Sequence, residues 1–104
     1  MVTRTKNIEN DVNLFINELK KKYRVQAAYI YGSHSRGNVS VWSDIDVAVI
    51  SPDFSDDLFE ERLKLMKMAA NIDDRIEPHP FRVEDFDSSN PLAREIQKYG
   101  ILVS

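Results

Sequence analysis

Apolar side chains recur at helical spacing near the start of the chain: Ile8, Val12, Phe15, Ile16 and Leu19. That spacing predicts an amphipathic helix from Ile8 to Lys22. Asn7 is its expected N-cap. Lys20, Lys21 and Lys22 fall in the last turn, where positive charge suits the helix dipole. The pattern then tightens. Val25 to Tyr31 is rich in β-branched and aromatic residues and reads as a strand. Ser33 to Asn38 reads as one short helical turn closed by Gly37. Asp44 to Ile50 is a second strand. Beyond its two carboxylates it is apolar on both faces, which predicts a central position covered from both sides.

Pro52 ends that strand, and Ser55, Asp56 and Asp57 open a helix with acidic residues in its first turn. Its expected buried stripe is Leu58, Phe59, Leu63, Met66, Ala69 and Ala70. Arg75 to Phe81 is a third strand, and Pro78 and Pro80 push it toward a sheet edge. Asn90-Pro91 opens a final helix with proline at its first position, and Gly100 closes it. Ile101-Leu102-Val103 adds a small edge strand. Twelve residues separate Tyr31 from Asp44. That is few for a parallel crossover, so the first two strands are expected to be antiparallel neighbours. Ser33 and Asp44 then share one rim of the sheet. The expectation is an α+β fold, a mixed sheet with helices packed on it.

Composition narrows the function classes. At 104 residues the chain is read as one domain, 1–104. Its 42% apolar content fits a folded globular chain. A net charge of −3 without a basic block disfavours direct nucleic-acid binding. The absence of cysteine excludes a disulfide framework, a thiolate metal site and a cysteine nucleophile. No apolar run approaches the roughly 20 residues of a membrane span, and the N-terminus lacks the apolar stretch of a secretory signal. The cytoplasm is the expected location.

The chemistry concentrates between Tyr31 and Ile50. Strand side chains have a period of 2, so Asp44 and Asp46 project from one face, about 7 Å apart. Like charges that close repel unless a cation sits between them. Oxygen ligands of this kind suit Mg²⁺, bound through one or two carboxylates plus substrate phosphates. Gly32-Ser33 supplies a complementary half. Glycine lets a backbone approach a ligand closely, and exposed N–H groups in such a turn bind anions. A phosphate cradle beside a carboxylate pair describes a nucleoside triphosphate site.

Gly-Ser, ten residues and Asp-x-Asp, as Gly32-Ser33 and Asp44-Ile45-Asp46, resembles the signature of the DNA polymerase β-type nucleotidyltransferase superfamily. The fuller string, with Arg36-Gly37 and Ser43, resembles its minimal nucleotidyltransferase branch. These are small prokaryotic proteins often paired with a HEPN-domain partner as antitoxin and toxin. The resemblance covers roughly residues 8 to 102 and implies the roles that follow. Two Mg²⁺ ions lie between Asp44, Asp46 and the triphosphate. A third carboxylate stands on a later strand: Glu77 is the choice, with Asp73 and Asp74 competing as loop residues. Glu77 ligates a metal and accepts the proton of the attacking hydroxyl. Gly32 and Ser33 hold phosphates, Arg36 pairs with phosphate, and Ser43 supports the carboxylates. His34 and His79 have no shared ligand spacing and are read as bystanders, and Trp42 as a core filler.

The implied activity is transfer of AMP from ATP to a hydroxyl, here a tyrosine of a HEPN-type toxin. Two alternatives stand beside it. One is adenylylation of a small, antibiotic-like molecule, with an acceptor pocket at a homo-oligomer interface. The other is a catalytically silent antitoxin that neutralises its partner by contact.

Overall fold

The computed structural model describes residues 4–32 and 44–104. Its elements are α1 (Arg4–Lys20), β1 (Ala27–Tyr31), β2 (Ile45–Ile50), α2 (Leu58–Ala70), β3 (Ile76–Phe81), a 3-10 turn (Val83–Asp85), α3 (Pro91–Tyr99) and β4 (Ile101–Leu102). The strands form one mixed sheet in the order β3-β2-β1-β4. β1 is antiparallel to both β2 and β4, and β2 is parallel to β3. The α+β expectation, the antiparallel first pair and the central β2 all hold.

The two faces of the sheet are closed differently. Ile45, Val47 and Val49 of β2 meet Phe15, Ile16 and Leu19 of α1 and Leu65 of α2 in the main core. Each is buried, so truncating one such side chain costs about 2–5 kcal/mol. On the opposite face β2 presents Asp46, Ala48 and Ile50. Ala48 and Ile50 are covered by Ile96 of α3, with Phe81 and Phe86 packed alongside. Phe81 and Phe86 meet edge to face, ring centres 5.1 Å apart. Asp46, at the other end of the strand, is only half-buried.

Local chemistry explains the element ends. Asp57 caps α2, its side chain accepting from the Glu60 N–H at 3.1 Å. Asn90 caps α3 by accepting from the N–H groups of Leu92 and Ala93, with Pro91 at the first helical position. β3 is an edge strand, as its prolines required. Arg75 and Phe81 accept from β2 and the residue after it, so the backbone nitrogens at the alternating positions Pro78 and Pro80 lie on the unpaired edge, where no N–H is needed.

Four expectations are corrected. α1 starts at Arg4, so Asn7 lies inside it rather than capping it, and the helix ends at Lys20. Lys21 beyond it pairs with Glu18 instead, at 2.8 Å. β1 and β2 begin at Ala27 and Ile45, not Val25 and Asp44. In α2, Leu58 and Ala69 do face the core, but Phe59, Leu63, Met66 and Ala70 are exposed, Phe59 at 74%. The inward positions are Leu58, Glu61, Leu65, Met68 and Ala69. Buried Glu61 is satisfied: its carboxylate accepts from the Ser55 N–H at 2.7 Å and from the Tyr23 hydroxyl at 3.3 Å. The helical turn expected at Ser33–Asn38 lies outside the described residues.

Candidate active site at the open end of the sheet

Three strands converge where α3 does not reach. Antiparallel pairing sets Tyr31, the last residue of β1, opposite Asp46. Parallel pairing sets Asp46 opposite Glu77. Both carboxylates point to the face that carries Ala48 and Ile50, because side chains alternate along a strand. His79 follows Glu77 by two residues and so shares its face. Its partner in register is Ala48, whose small side chain leaves the imidazole room to lean back toward Asp46.

The donors gather closely. One ligand atom each from Asp46, Glu77 and His79 lie within 4.8 Å of one another. His79 Nε2 is 3.3 Å from Asp46 Oδ1. The Tyr31 ring meets the imidazole edge to face at 5.7 Å. Glu77 and His79 each precede a proline, which confines their backbones to extended conformations. The strand therefore delivers both side chains from a stiff support.

Gly32 follows Tyr31 with a φ of +76°, a conformation most side chains disfavour. A Cβ at this position would sit 2.7 Å from Asp46 Oδ2. The backbone after β1 thus presses directly against the carboxylate, and only glycine fits.

The electrostatics of the cluster are unbalanced. Among the described residues no lysine or arginine pairs with Asp46 or Glu77. The Tyr31 hydroxyl is pushed up to about 12, first by burial and then by the Asp46 charge, with Glu77 adding and Arg62 opposing. It is a neutral phenol at ordinary pH. Arg62 of α2 has a buried Nε with no hydrogen-bond partner among the described residues. The donor set fits a divalent cation: two carboxylates and an imidazole converge against a backbone that carries no Cβ.

Asp44 stands just before β2 and is exposed. It is not one of the three gathered donors. Asp73 and Asp74 are not among them either. Asp73 is bound instead to Arg75, accepting from Nε at 3.0 Å and from the terminal guanidinium nitrogen at 2.7 Å. Ser33, Arg36 and Ser43, with His34 and Trp42, lie outside the described residues. His79 is the residue that sequence reasoning passed over. Its signal was the two-residue step from Glu77, not any spacing to His34.

Comparison with known proteins places this geometry. A family model of the nucleotidyltransferase domain matches residues 12–103. A crystal structure from Sulfolobus solfataricus, described as a candidate nucleotidyltransferase, aligns with a TM-score of 0.67 at 18% identity, over 94% of this chain and 80% of that one. A toxin–antitoxin structure with AMP-PNP aligns with a TM-score of 0.67 at 25% identity, over 92% and 72%. A mutant of the toxin–antitoxin pair MntA–HpeT aligns with a TM-score of 0.64 at 23% identity, over 92% and 72%. No curated protein matches the chain. The four-stranded mixed sheet with its packed helices is the fold of these solved structures, and the chain, matched over residues 12–103, belongs to the nucleotidyltransferase domain family.

Proposed function

We propose that this protein transfers AMP from ATP to a tyrosine hydroxyl of a HEPN-type toxin and so acts as its antitoxin. The observation that carries the reading is the register Tyr31–Asp46–Glu77 beside the left-handed Gly32. It puts two carboxylates and a close-approach backbone at one open rim, within a nucleotidyltransferase domain. The neighbour at 25% identity is a toxin–antitoxin structure with AMP-PNP, which supports both the nucleotide and the kind of partner.

Asp46 and Glu77 hold the divalent ion in this reading, with Asp44 as a further carboxylate at the mouth. Mg²⁺ held by these residues would supply the charge that activates an attacking oxygen and stabilises the leaving one. Glu77 also accepts the proton of the incoming hydroxyl. Gly32 lets the backbone approach the phosphates, and Ser33 donates to them. Arg36 pairs with phosphate oxygens through its planar fork, and Ser43 steadies the carboxylates. Partner docking brings the hydroxyl in line with the α-phosphate, so that its oxygen bonds to that phosphorus as the bond to the β-phosphate breaks and pyrophosphate leaves. Added phosphate charge then blocks the toxin where it needs access to RNA. Cytoplasmic location follows from such a partner.

The test is incubation with labelled ATP, Mg²⁺ and the partner encoded beside it, followed by intact-mass analysis. One or more AMP masses on a partner tyrosine are expected. Transfer only to small alcohols or aminoglycosides favours the small-molecule transferase. Neutralisation of the partner with no mass added favours the contact-only antitoxin.

A further inference from the structure

We propose that His79 is a nitrogen ligand of the catalytic divalent ion and tilts the site from Mg²⁺ toward Mn²⁺. This rests on the transferase reading above and adds a donor to it. Three observations carry it. His79 Nε2 belongs to the same three-donor group as Asp46 and Glu77. Its separation from Asp46 Oδ1, 3.3 Å, is long for a charge-assisted hydrogen bond, which closes to about 2.7–2.9 Å. It suits two donors sharing one ion: neighbouring ligands of a first-row metal at about 2.1 Å stand about 3.0–3.4 Å apart. The Tyr31 ring also flanks the imidazole, and Pro80 confines the His79 backbone to an extended conformation.

Donor chemistry then sets the preference. Mg²⁺ demands oxygen and sheds water reluctantly. Imidazole nitrogen favours first-row transition ions over Mg²⁺, and a mixed carboxylate–imidazole set with phosphate oxygens accommodates Mn²⁺, the most oxygen-tolerant of them. A site of carboxylates alone has no such bias. His79 is thus a determinant of which ion loads the site, and the chain should work best where manganese is available.

The experiment is pulsed electron paramagnetic resonance of Mn²⁺ bound to the full-length protein, with competition by Mg²⁺. The wild type is expected to show a ¹⁴N coupling from imidazole. His34→Gln, at the chain's other histidine, should keep it, and His79→Asn should lose it. His79→Asn should also weaken Mn²⁺ binding on the order of 10–100-fold and Mg²⁺ binding far less. Circular dichroism of the variant checks that the fold persists. Bound Mn²⁺ without nitrogen coupling in the wild type overturns the proposal, as does coupling that survives His79→Asn. Transfer measured in parallel separates the two readings. AMP transfer with no nitrogen coupling sinks the ligand role alone, whereas nitrogen coupling without transfer to any acceptor sinks the enzymatic reading.

Discussion

Two acidic clusters contrast within this fold, and they carry opposite electrostatics. In one, Asp73 is nearly buried, its side chain 8% exposed, and Arg75 grips it with two guanidinium bonds and a backbone bond. In the other, Asp46 and Glu77 stand opposite each other with a histidine beside them and no cationic partner among the described residues. The first cluster is complete. Its charge is neutralised by the chain itself, and its work is to fix the turn between α2 and β3. In the second, strand register holds like charges together, and among the described residues no lysine or arginine bonds to them. That difference separates Glu77 from Asp73 as the third carboxylate of the proposed site more firmly than strand boundaries do.

The largest expected effect comes from Asp46→Asn. Losing a metal-holding carboxylate removes several kcal/mol of transition-state stabilisation, so transfer should fall by about 10³-fold or more. Stability should hold or rise slightly, since a repulsion is removed. Thermal melting alongside labelled-AMP transfer checks both. A variant that melts early and retains its turnover would place Asp46 with the structural cluster and erase the contrast.

Glu77→Gln sharpens the same contrast. It keeps the shape but removes the charge and the proton acceptor, so transfer should drop by about 10²–10⁴-fold. Nucleotide binding, read by fluorescent ATP analogue, should change far less. Should Glu77→Gln turn over normally while Asp73→Asn fails, the roles of the two clusters are exchanged.

Asp73→Asn belongs on the stability side. Arg75 bonding holds the Asp73 carboxyl down at about 2, with burial opposing. A folded value below the unfolded one contributes stability that is present above about pH 4 and is lost as pH falls through about 2. The shift corresponds to about 2 kcal/mol. Asp11 works the other way: burial, then the Asp73 hydrogen bond and charge, raise its carboxyl. Its contribution is present in acid and lost as pH rises through the folded value. Asp73→Asn should therefore destabilise the protein by about 2 kcal/mol at neutral pH and flatten the acid limb of its stability curve. Urea unfolding at pH 7 and at about pH 3 reads this. Transfer per folded molecule should not change.

Much of the framework was legible because local chemistry decides it. Asn90, Pro91 and Gly100 bounded α3 by capping rules that need no tertiary context. Pro78 and Pro80 located the edge strand, and the run from Val47 to Ile50, apolar on both faces, located the central one. What failed depended on partners. α2 carries two apolar stripes at helical spacing, and only the sheet beneath decides between Phe59–Leu63–Met66 and Leu58–Leu65–Ala69. Asn7 can cap a helix, but nothing local forbids the helix from continuing past it to Arg4. His79 was overlooked because the register that brings it to Asp46 belongs to two strands, and one strand's sequence contains only half of it. Asp44 lies one position outside the strand, so alternation alone does not set its direction.

Gly32→Ala tests how tightly the cluster at Asp46 is built, and the effect that decides it is the small coupling between two substitutions. The left-handed backbone alone costs a non-glycine residue about 1–2 kcal/mol. The added Cβ also meets Asp46 Oδ2 at 2.7 Å, so the carboxylate must rotate away from Glu77 and His79. In the wild type both costs apply, and a loss of about 1 kcal/mol already lowers the melting temperature by about 4–8 °C in a domain of this size. In an Asp46→Ala background the collision is gone and only the backbone cost remains. The two substitutions should therefore couple, with the double variant more stable than the sum of the single effects allows. Equal costs in the two backgrounds would mean that Gly32 serves the turn alone. The close approach of backbone to carboxylate, which sets this cluster apart from the one at Asp73, would then have no part in holding Asp46.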